Sequence, residues 1–293
     1  MVMGGYPGPG CVGVAYAVRH NLESERTTMN LEFAELSDTG RTREHNEDFC
    51  GHVAPASATQ AQSHGWLFAV ADGVGGQQLG EVASRVAVEC LISNFRKSVG
   101  GESHVTLLRR LVQAANHEVY EKGRSASPGG VAMATTIVAC GLRYDQVAVA
   151  HVGDSRCYLI RNGHATLLTR DHTVVGEQVR LGLLTAREAA ESENRHLLRR
   201  SLGSDLFVDV DTSHHGVVPG DVFVLCSDGL HGSVSEDDII HALQEKRDLR
   251  LAVHELVTLA NQRDGGDNIT VQLIRIRSVE RVGMYRGRPY KLL

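Results

Sequence analysis

Four aspartates stand at the ends of apolar segments that are typical of buried strands. Asp72 ends WLFAVAD, Asp154 follows AVAHVG, Asp228 follows VFVLCS and Asp267 precedes NITVQLIRI. A single Asp-Gly pair is most often a turn, because Asp is a common turn residue and Gly frees the backbone beside it. A carboxylate at the end of a buried strand is costly unless another group pairs with it. Four acids in equivalent places therefore indicate a shared site.

If these strand ends converge, the carboxylates repel one another at short range unless cations lie between them. Carboxylates are hard oxygen ligands, and no cluster of Cys and His accompanies them, so the pattern favours Mg²⁺ or Mn²⁺ over Zn²⁺. Two such cations, about 3.5–4 Å apart, can share a hydroxide nucleophile and offset charge on the displaced group. The acids therefore indicate phosphoryl chemistry.

A second charged cluster lies upstream, in GRTREHNEDF, and contains Arg43, Glu47 and Asp48. An arginine fork binds a phosphate dianion through two hydrogen bonds, which makes Arg43 the candidate phosphate-binding residue. A salt bridge from Arg43 to Glu47, four residues on, explains the spacing nearly as well. Four histidines near these motifs have irregular spacing and are interpreted as supporting or structural residues: His45, His52, His151 and His172.

The glycine-rich loop after Asp72 also has the order of a dinucleotide-binding turn, with a strand before the glycines and a helix after them. Asp72 would repel a pyrophosphate, however, and a GxGxxG motif beginning at Gly73 requires glycine where the sequence has Gln78. No GxSxG, Walker A or CxxxxxR motif offers a competing mechanism. The nucleotide interpretation is therefore rejected.

The composition and net charge exclude some classes of binding partner. Of 293 residues, 42% are hydrophobic and 22% charged, and the formal net charge of −5 disfavours a nucleic-acid or anionic-membrane surface. No apolar run approaches the roughly 18 residues of a membrane span, and the N-terminus lacks the pattern of a secretory signal. The six cysteines are scattered without a CxxC pair, which favours a reduced, cytoplasmic protein.

The elements that must position the acids follow from the apolar patterning. Three or four short strands lie close together between positions 134 and 169, with Asn162-Gly163 as a hairpin signal. Such short connections require antiparallel pairing. Capping boxes begin helices after Thr185 and Ser235. Strands in one block and helices in others predict an α+β architecture of sheets covered by helices.

We divide the chain into a disordered extension at 1–29, a domain at 30–277 and a basic tail at 278–293. The tail is interpreted as a disordered end, with docking to an acidic partner as the alternative. Helical pieces separated by Gly182 lie within the domain, at about 172–196.

In order, the motifs REHNED, ADGVGG, TT, GDSR, LTRDHT, SDGL and GDNIT resemble those of the bacterial metal-dependent protein phosphatases of the PP2C (PPM) family, from about Leu31 to Arg277. The resemblance implies an α-β-β-α sandwich of two antiparallel sheets flanked by helix pairs. It implies hydrolysis of phosphoserine and phosphothreonine by a hydroxide that bridges two metals, without a phosphoenzyme. The segment 172–196 would be the flap beside the catalytic groove.

The resemblance also implies roles for individual residues. Asp72 would bridge two Mn²⁺ or Mg²⁺ ions, the carbonyl of Gly73 would complete the first site, and Asp228 and Asp267 would supply the remaining carboxylates. Arg43 would hold the substrate phosphate.

Three further residues have supporting or variable roles by the same resemblance. Glu47 and Asp48 would support the metal shell, and Asp154 would help to bind a third, weaker ion. Eukaryotic relatives carry a histidine where this chain has Val74, so water or another group such as His172 must protonate the leaving oxygen. Losing a general acid typically costs roughly 10²–10⁴-fold in rate.

The expected partners are phosphorylated Ser/Thr proteins and a cognate cytoplasmic kinase, with no nucleic acid and no membrane span, and we expect a monomer. Two alternatives remain. A catalytically silent relative would bind phosphoproteins as a scaffold, but such a protein should have lost a metal aspartate, and none is missing. An enzyme acting on anti-sigma antagonists usually carries a sensor domain, and none is visible in the sequence.

Overall fold

The computed structural model describes residues 29–74, 79–126, 133–280, 282–285 and 288–291. In chain order the elements are β1 (Asn30–Asp38), β2 (Asp48–Val53), α1 (Ala58–Ser63), β3 (Trp66–Val74), α2 (Leu79–Lys97), α3 (His104–Ala126), β4 (Ala134–Thr135), β5 (Ile137–Arg143), β6 (Gln146–Val152), β7 (Arg156–Arg161), β8 (His164–Leu167), α4 (Val174–Arg180), α5 (Ala186–Glu191), β9 (Asp211–Gly216), β10 (Val222–Cys226), α6 (Asp228–His231), α7 (Glu236–Glu245), α8 (Leu249–Arg263), β11 (Ile269–Ser278), β12 (Val282–Tyr285) and β13 (Arg288–Lys291). None of the described helices is long and apolar enough to cross a membrane.

Apart from the hairpin of β12 and β13, the described strands form two antiparallel sheets. The first has the order β1-β11-β10-β7-β8, and the second has the order β2-β3-β5-β6-β9 with β4 paired to β3. Asn162 and Gly163 connect β7 to β8 with positive φ angles of 52° and 75°, as the predicted hairpin turn requires. The predicted antiparallel α+β fold is confirmed.

Three hydrophobic cores separate four layers. Strand β3 shows why its sequence is continuously apolar: Trp66, Phe68 and Val70 pack between the two sheets, whereas Leu67 and Ala69 face α2 and α3 on the other side. Alternate residues of a strand point to opposite faces, so both faces of β3 are buried. Helices α7 and α8 cover the outer face of the first sheet. The predicted α-β-β-α layering is confirmed.

The sheet registers place the chemically relevant strand ends at one end of the sandwich. Asp48 opens β2 directly opposite Asp72 near the end of β3. In the other sheet, Cys226 at the end of β10 pairs with Arg156 at the start of β7 and with Val271 near the start of β11. The turns that carry the four aspartates therefore meet at this end.

The chain termini differ in part from expectation. Met29, assigned to the extension, is 4% exposed and packs between the sheets, whereas residues 1–28 lie outside the described residues. Within the predicted tail, β12 and β13 pair as an antiparallel hairpin rather than lacking regular structure. The predicted flap contains α4 and α5, and the capping box at Thr185 is formed.

Candidate metal and phosphate site

The structure brings the four strand-end aspartates into one cavity. Its volume is about 280 Å³, and it lies at the end of the sandwich where the two sheets meet. Asp72 reaches it from the six-stranded sheet, whereas Asp228 and Asp267 reach it from the turns beside β10 and β11. The lining residues are Arg43, Glu47, Asp72, Gly73, Val74, Thr136, Asp154, His196, Leu198, Asp228, Asp267 and Asn268.

The backbone of Asp72 is fixed on both sides by two threonines. Its N–H donates to Thr136 Oγ1 at 2.9 Å, and its carbonyl accepts from Thr135 Oγ1 at 2.7 Å and from the N–H of Thr136 at 2.8 Å. Thr136 Oγ1 is also 2.7 Å from Ser155 Oγ. The carboxylate of Asp72 is thus presented to the cavity by a strand end with little freedom to move.

Gly73 is required by close backbone approach. A Cβ atom at this position would lie 2.3 Å from the carbonyl oxygen of Gly80 and 2.6 Å from that of Glu47, distances that no real Cβ tolerates. The Gly73 N–H donates to the Glu47 carbonyl at 3.1 Å. The start of α2 and the REHNED segment therefore pack directly on the turn that follows Asp72.

Asn268 joins the REHNED segment to the start of β11. Its Oδ1 accepts from the N–H of Glu47 at 2.8 Å, and its Nδ2 donates to the carbonyls of Thr39 and His45, both at 2.9 Å. Between the same two segments, Arg43 Nη2 donates to Asp267 Oδ2 at 2.9 Å. The ion pair that Arg43 forms is therefore with Asp267, not with Glu47.

Asp48 lies beneath the cavity rather than in its lining. Its Oδ2 accepts from Ser227 Oγ at 2.7 Å, and Ser227 Oγ in turn accepts from the N–H of Thr270 at 3.0 Å. Asp48 Oδ1 is buried without a hydrogen-bond partner, and so is Asp228 Oδ1. Buried carboxylate oxygens are costly unless a donor or a cation satisfies them.

The electrostatics of the cluster agree with that requirement. Burial raises the pKa values of Asp48 and Asp154 to about 7, and neighbouring carboxylates add to this effect. The same two causes raise the pKa of Asp72 well above its ordinary value. Burial alone would also raise the pKa of Asp228, but the hydrogen bond from His196 and the nearby charge of His231 lower it. Asp48, Asp72 and Asp154 therefore hold a proton more readily than free carboxylates when no cation is bound.

This set of atoms fits hard divalent cations. All of the converging ligand atoms are carboxylate or carbonyl oxygens, Asp228 Oδ1 among them is buried without a partner, and the acids repel one another. Oxygen-only sites of this kind suit Mg²⁺ and Mn²⁺. Asp154 is 6% exposed at the rim, where its backbone carbonyl lies 3.0 Å from His231 Nε2.

The last residue of the predicted flap and a residue just beyond it also line the cavity, and the sequence did not single out either one. His196 and Leu198 line the cavity, and His196 Nδ1 lies 3.3 Å from Asp228 Oδ2. A hydrogen bond to Asp228 raises the pKa of His196 although burial opposes it. His172, the residue considered as a proton donor, is instead 3% exposed and does not line the cavity. Its position agrees with the interpretation of His172 as a structural residue and leaves water as the alternative proton donor.

His172 belongs to a separate group with His151 and Asp211, whose ligand atoms lie within 4.8 Å of one another. Burial lowers the pKa of His172 to about 4, so the ring is neutral. Because the N–H of Gly153 donates to Nδ1 at 3.2 Å, we assign the proton to Nε2, which lies 3.4 Å from Asp211 Oδ2. Neither nitrogen of His172 has a lone pair free for a metal. Arg200 also donates to Asp211 at 2.9 Å. The group is therefore a polar network that supports the LTRDHT segment.

A four-layered sandwich that gathers carboxylates and an arginine at one end defines a metal-dependent hydrolase of phosphate esters. A sequence profile described as protein phosphatase 2C matches residues 39–270. The serine/threonine phosphatase Stp of Listeria monocytogenes is 36% identical over 251 residues, covering 84% of this chain and 95% of that protein. The chain belongs to the protein phosphatase 2C family of metal-dependent serine/threonine phosphatases.

Solved structures agree with this assignment. The serine/threonine phosphatase of S. agalactiae superposes with a TM-score of 0.77 at 35% identity, covering 84% of this chain and 100% of that one. The catalytic domain of the phosphatase PstP, in complex with two manganese ions, gives a TM-score of 0.74 at 32% identity, with coverage of 86% and 100%. The predicted fold and enzyme class are confirmed.

Proposed function

We propose that Asp72, the Gly73 carbonyl, Asp228 and Asp267 hold two divalent cations at which this phosphatase hydrolyses phosphoserine and phosphothreonine in proteins. The observation that carries the proposal is their convergence in one cavity with buried, unpartnered carboxylate oxygen. The manganese in the PstP complex supports Mn²⁺ as one suitable ion, and Mg²⁺ is the other. When bound, such ions activate water as the nucleophile and offset charge on the phosphate.

The surrounding acids have distinct places in this proposal. Glu47 lines the cavity, and its backbone carbonyl is held by Ser84 Oγ at 2.6 Å and by the N–H of Gly73. Asp48 supports the ligands from beneath, through its bond to Ser227. Asp154 would contribute to a third, weaker ion beside Asp228, because burial and the charge of Asp228 both disfavour its ionised form without one.

Arg43 binds the substrate phosphate in this proposal. Its side chain is 47% exposed at the mouth of the cavity, so its guanidinium can reach an incoming dianion while remaining beside Asp267. A planar fork suits the bidentate binding of phosphate oxygens. Val74 presents no exchangeable proton to the leaving oxygen, and water supplies that proton in its place.

The partners follow from this chemistry. The substrates are proteins that carry phosphoserine or phosphothreonine, and the opposing enzyme is a cognate Ser/Thr kinase. We assign the active phosphatase to the cytoplasm and to a monomer. Residues 30–277 form its catalytic domain, and residues 172–196 form the flap at its groove.

The test is hydrolysis of a phosphothreonine peptide after chelation and again after Mn²⁺ or Mg²⁺ is restored. Asp228→Asn and Asp267→Asn should each abolish metal-dependent turnover and weaken Mn²⁺ binding measured by calorimetry. Asp237→Asn, at an exposed position in the first turn of α7, is the matched control and should behave as the wild type. Full activity in either site variant would refute the assignment.

A further inference from the structure

A second cavity, of about 470 Å³, lies on the other side of the segment that leads out of the predicted flap. Beside the acids Asp171, Glu177 and Asp209, four guanidinium groups line it, in a chain whose overall net charge is −5. They belong to Arg170, Arg180, Arg199 and Arg200. A local concentration of arginine on an acidic protein indicates a place for an anion.

The walls of this cavity are fixed by backbone pairing. The N–H of Val174 donates to the carbonyl of Leu197 at 2.9 Å, and the N–H of Arg199 donates to the carbonyl of His172 at 2.8 Å. Thr173 and Leu198 form an antiparallel bridge between these hydrogen bonds. The arginines that follow Leu198 are therefore presented by an ordered segment.

That segment is shared by the two cavities. His196 and Leu198 line the metal cavity, whereas Arg199 and Arg200 line the second one. Leu198 and Arg199 are consecutive residues, and consecutive Cα atoms are only about 3.8 Å apart. A polypeptide whose phosphorylated residue occupies the metal cavity can therefore place a nearby residue at the second cavity.

The arginines differ in whether their guanidinium groups already form hydrogen bonds or ion pairs. Arg180 forms a bidentate pair with Glu177, and Arg200 donates to Asp211 Oδ1 at 2.9 Å. The exposed guanidinium of Arg199 takes part in none of the hydrogen bonds or ion pairs found among the described residues. Arg199 is thus available to an incoming anion without breaking an existing pair.

Glu177, on the wall of the cavity, responds chiefly to its own partner Arg180 and only secondarily to the other arginines. A hydrogen bond from Arg180, supplemented by the charges of Arg199 and Arg170, lowers the pKa of Glu177 to about 2. Charge-assisted bonds from a guanidinium fork are strongest to phosphate and carboxylate groups. The cavity therefore has the chemistry to bind either group.

We propose that this arginine-lined cavity is a second anion subsite of the phosphatase, which binds a phosphate or carboxylate side chain of the substrate near the phosphorylated residue. The proposal rests on the proposed function, because it assigns a preference to the same catalytic groove. Arg199 is its principal ligand. The preferred substrates are thus multiply phosphorylated or acidic segments rather than isolated phosphothreonines.

The test uses peptides with one phosphothreonine and a variable residue two to five positions away. That residue is Gln, Glu or a non-hydrolysable phosphonate. For wild type we expect KM to be about tenfold lower with the phosphonate at the best spacing than with Gln, and intermediate with Glu. Arg199→Ala should remove most of this difference and leave kcat unchanged. Arg187→Ala, whose side chain is 87% exposed on α5, is the matched control and should retain the difference.

Hydrolysis of p-nitrophenyl phosphate, which carries no second anion, separates the subsite from the catalytic centre. Equal rates for wild type and Arg199→Ala are expected, whereas a parallel loss on this substrate would overturn the subsite. An Arg199-dependent effect of added inorganic phosphate on this reaction, with no peptide preference, would assign the cavity to free phosphate and overturn it as well.

Failure of the proposed function gives a different result. If wild type with metal hydrolyses neither substrate, the subsite is judged by the fluorescence anisotropy of labelled peptides. Tighter binding of the phosphonate peptide that depends on Arg199 then supports the subsite, and equal affinities overturn it.

Discussion

Asn268 holds together the two chain segments that carry the proposed phosphate and metal ligands. Asn268→Ala removes three hydrogen bonds, one accepted from the N–H of Glu47 and two donated to the carbonyls of Thr39 and His45. The side chain is buried, with the residue 5% exposed, so water cannot replace all of these bonds. At roughly 1 kcal/mol for each bond, the free energy of unfolding should fall by about 3 kcal/mol.

The kinetic consequence follows from the same geometry. Without Asn268 the REHNED segment is no longer held against the start of β11, so Arg43 loses its defined position 2.9 Å from Asp267. We expect KM for a phosphothreonine peptide to rise about tenfold, because imprecise placement of a binding group weakens its interaction with the phosphate. The affinity for Mn²⁺ should fall as well, since Asp267 is the neighbouring residue.

Urea unfolding monitored by circular dichroism measures the first effect, and steady-state kinetics measures the second. Asn261→Ala is the control, because Asn261 donates a single bond, to Asp38 Oδ1 at 3.0 Å, and should cost about 1 kcal/mol with unchanged KM. A loss below about 1 kcal/mol in Asn268→Ala, or a stability loss with normal KM and Mn²⁺ affinity, would refute this account of Asn268.

Three further predictions concern the same cavity. Arg43→Ala should mainly raise KM for phosphate esters, and an effect confined to kcat would point to a purely structural pair with Asp267. Gly73→Ala should abolish Mn²⁺ binding in calorimetry and lower the melting temperature, because the new Cβ would lie 2.3 Å from the Gly80 carbonyl; wild-type values would contradict this close approach. In EDTA, the free energy of unfolding should fall as the pH rises from 5 to 7.5. The pKa values of Asp48 and Asp154 are raised to about 7 in the folded state. The folded state therefore binds more protons than the unfolded state below pH 7, and this contribution to stability is lost as the pH rises. Saturating Mn²⁺ should remove this decline, and a metal-free stability that rises over this range would show that the acids are not crowded.

The sequence predicts the carboxylate set because each acid has a local signature. Asp72, Asp154 and Asp228 follow apolar strands, and strands of known direction bring their ends to a common edge. The layered fold follows in the same way from short connections and helix caps. These features depend on residues that are close in sequence, where patterning and turn chemistry are informative.

The remaining features depend on pairing between residues that are far apart in sequence. Arg43 lies beside Asp267, 224 residues away, rather than beside Glu47, which sequence spacing alone favours. The contact of His196 with Asp228 depends on how the flap folds back over the groove. The buried ring of His172 likewise stacks on His151, with 4.7 Å between the ring centroids. No local pattern in the sequence encodes the directions of these side chains.

The position of the site between the two sheets explains why stability and metal binding should be coupled. Asp72 belongs to the second sheet, whereas Asp228 and Asp267 flank strands of the first. Without cations, the repulsion among these acids acts across the junction of the sheets and opposes their packing. A ligand that binds only the folded state stabilises it in proportion to the logarithm of its concentration. Cations bound here would therefore join the two halves of the sandwich while they supply the chemistry, so chelation should weaken the fold and abolish activity through the same carboxylates.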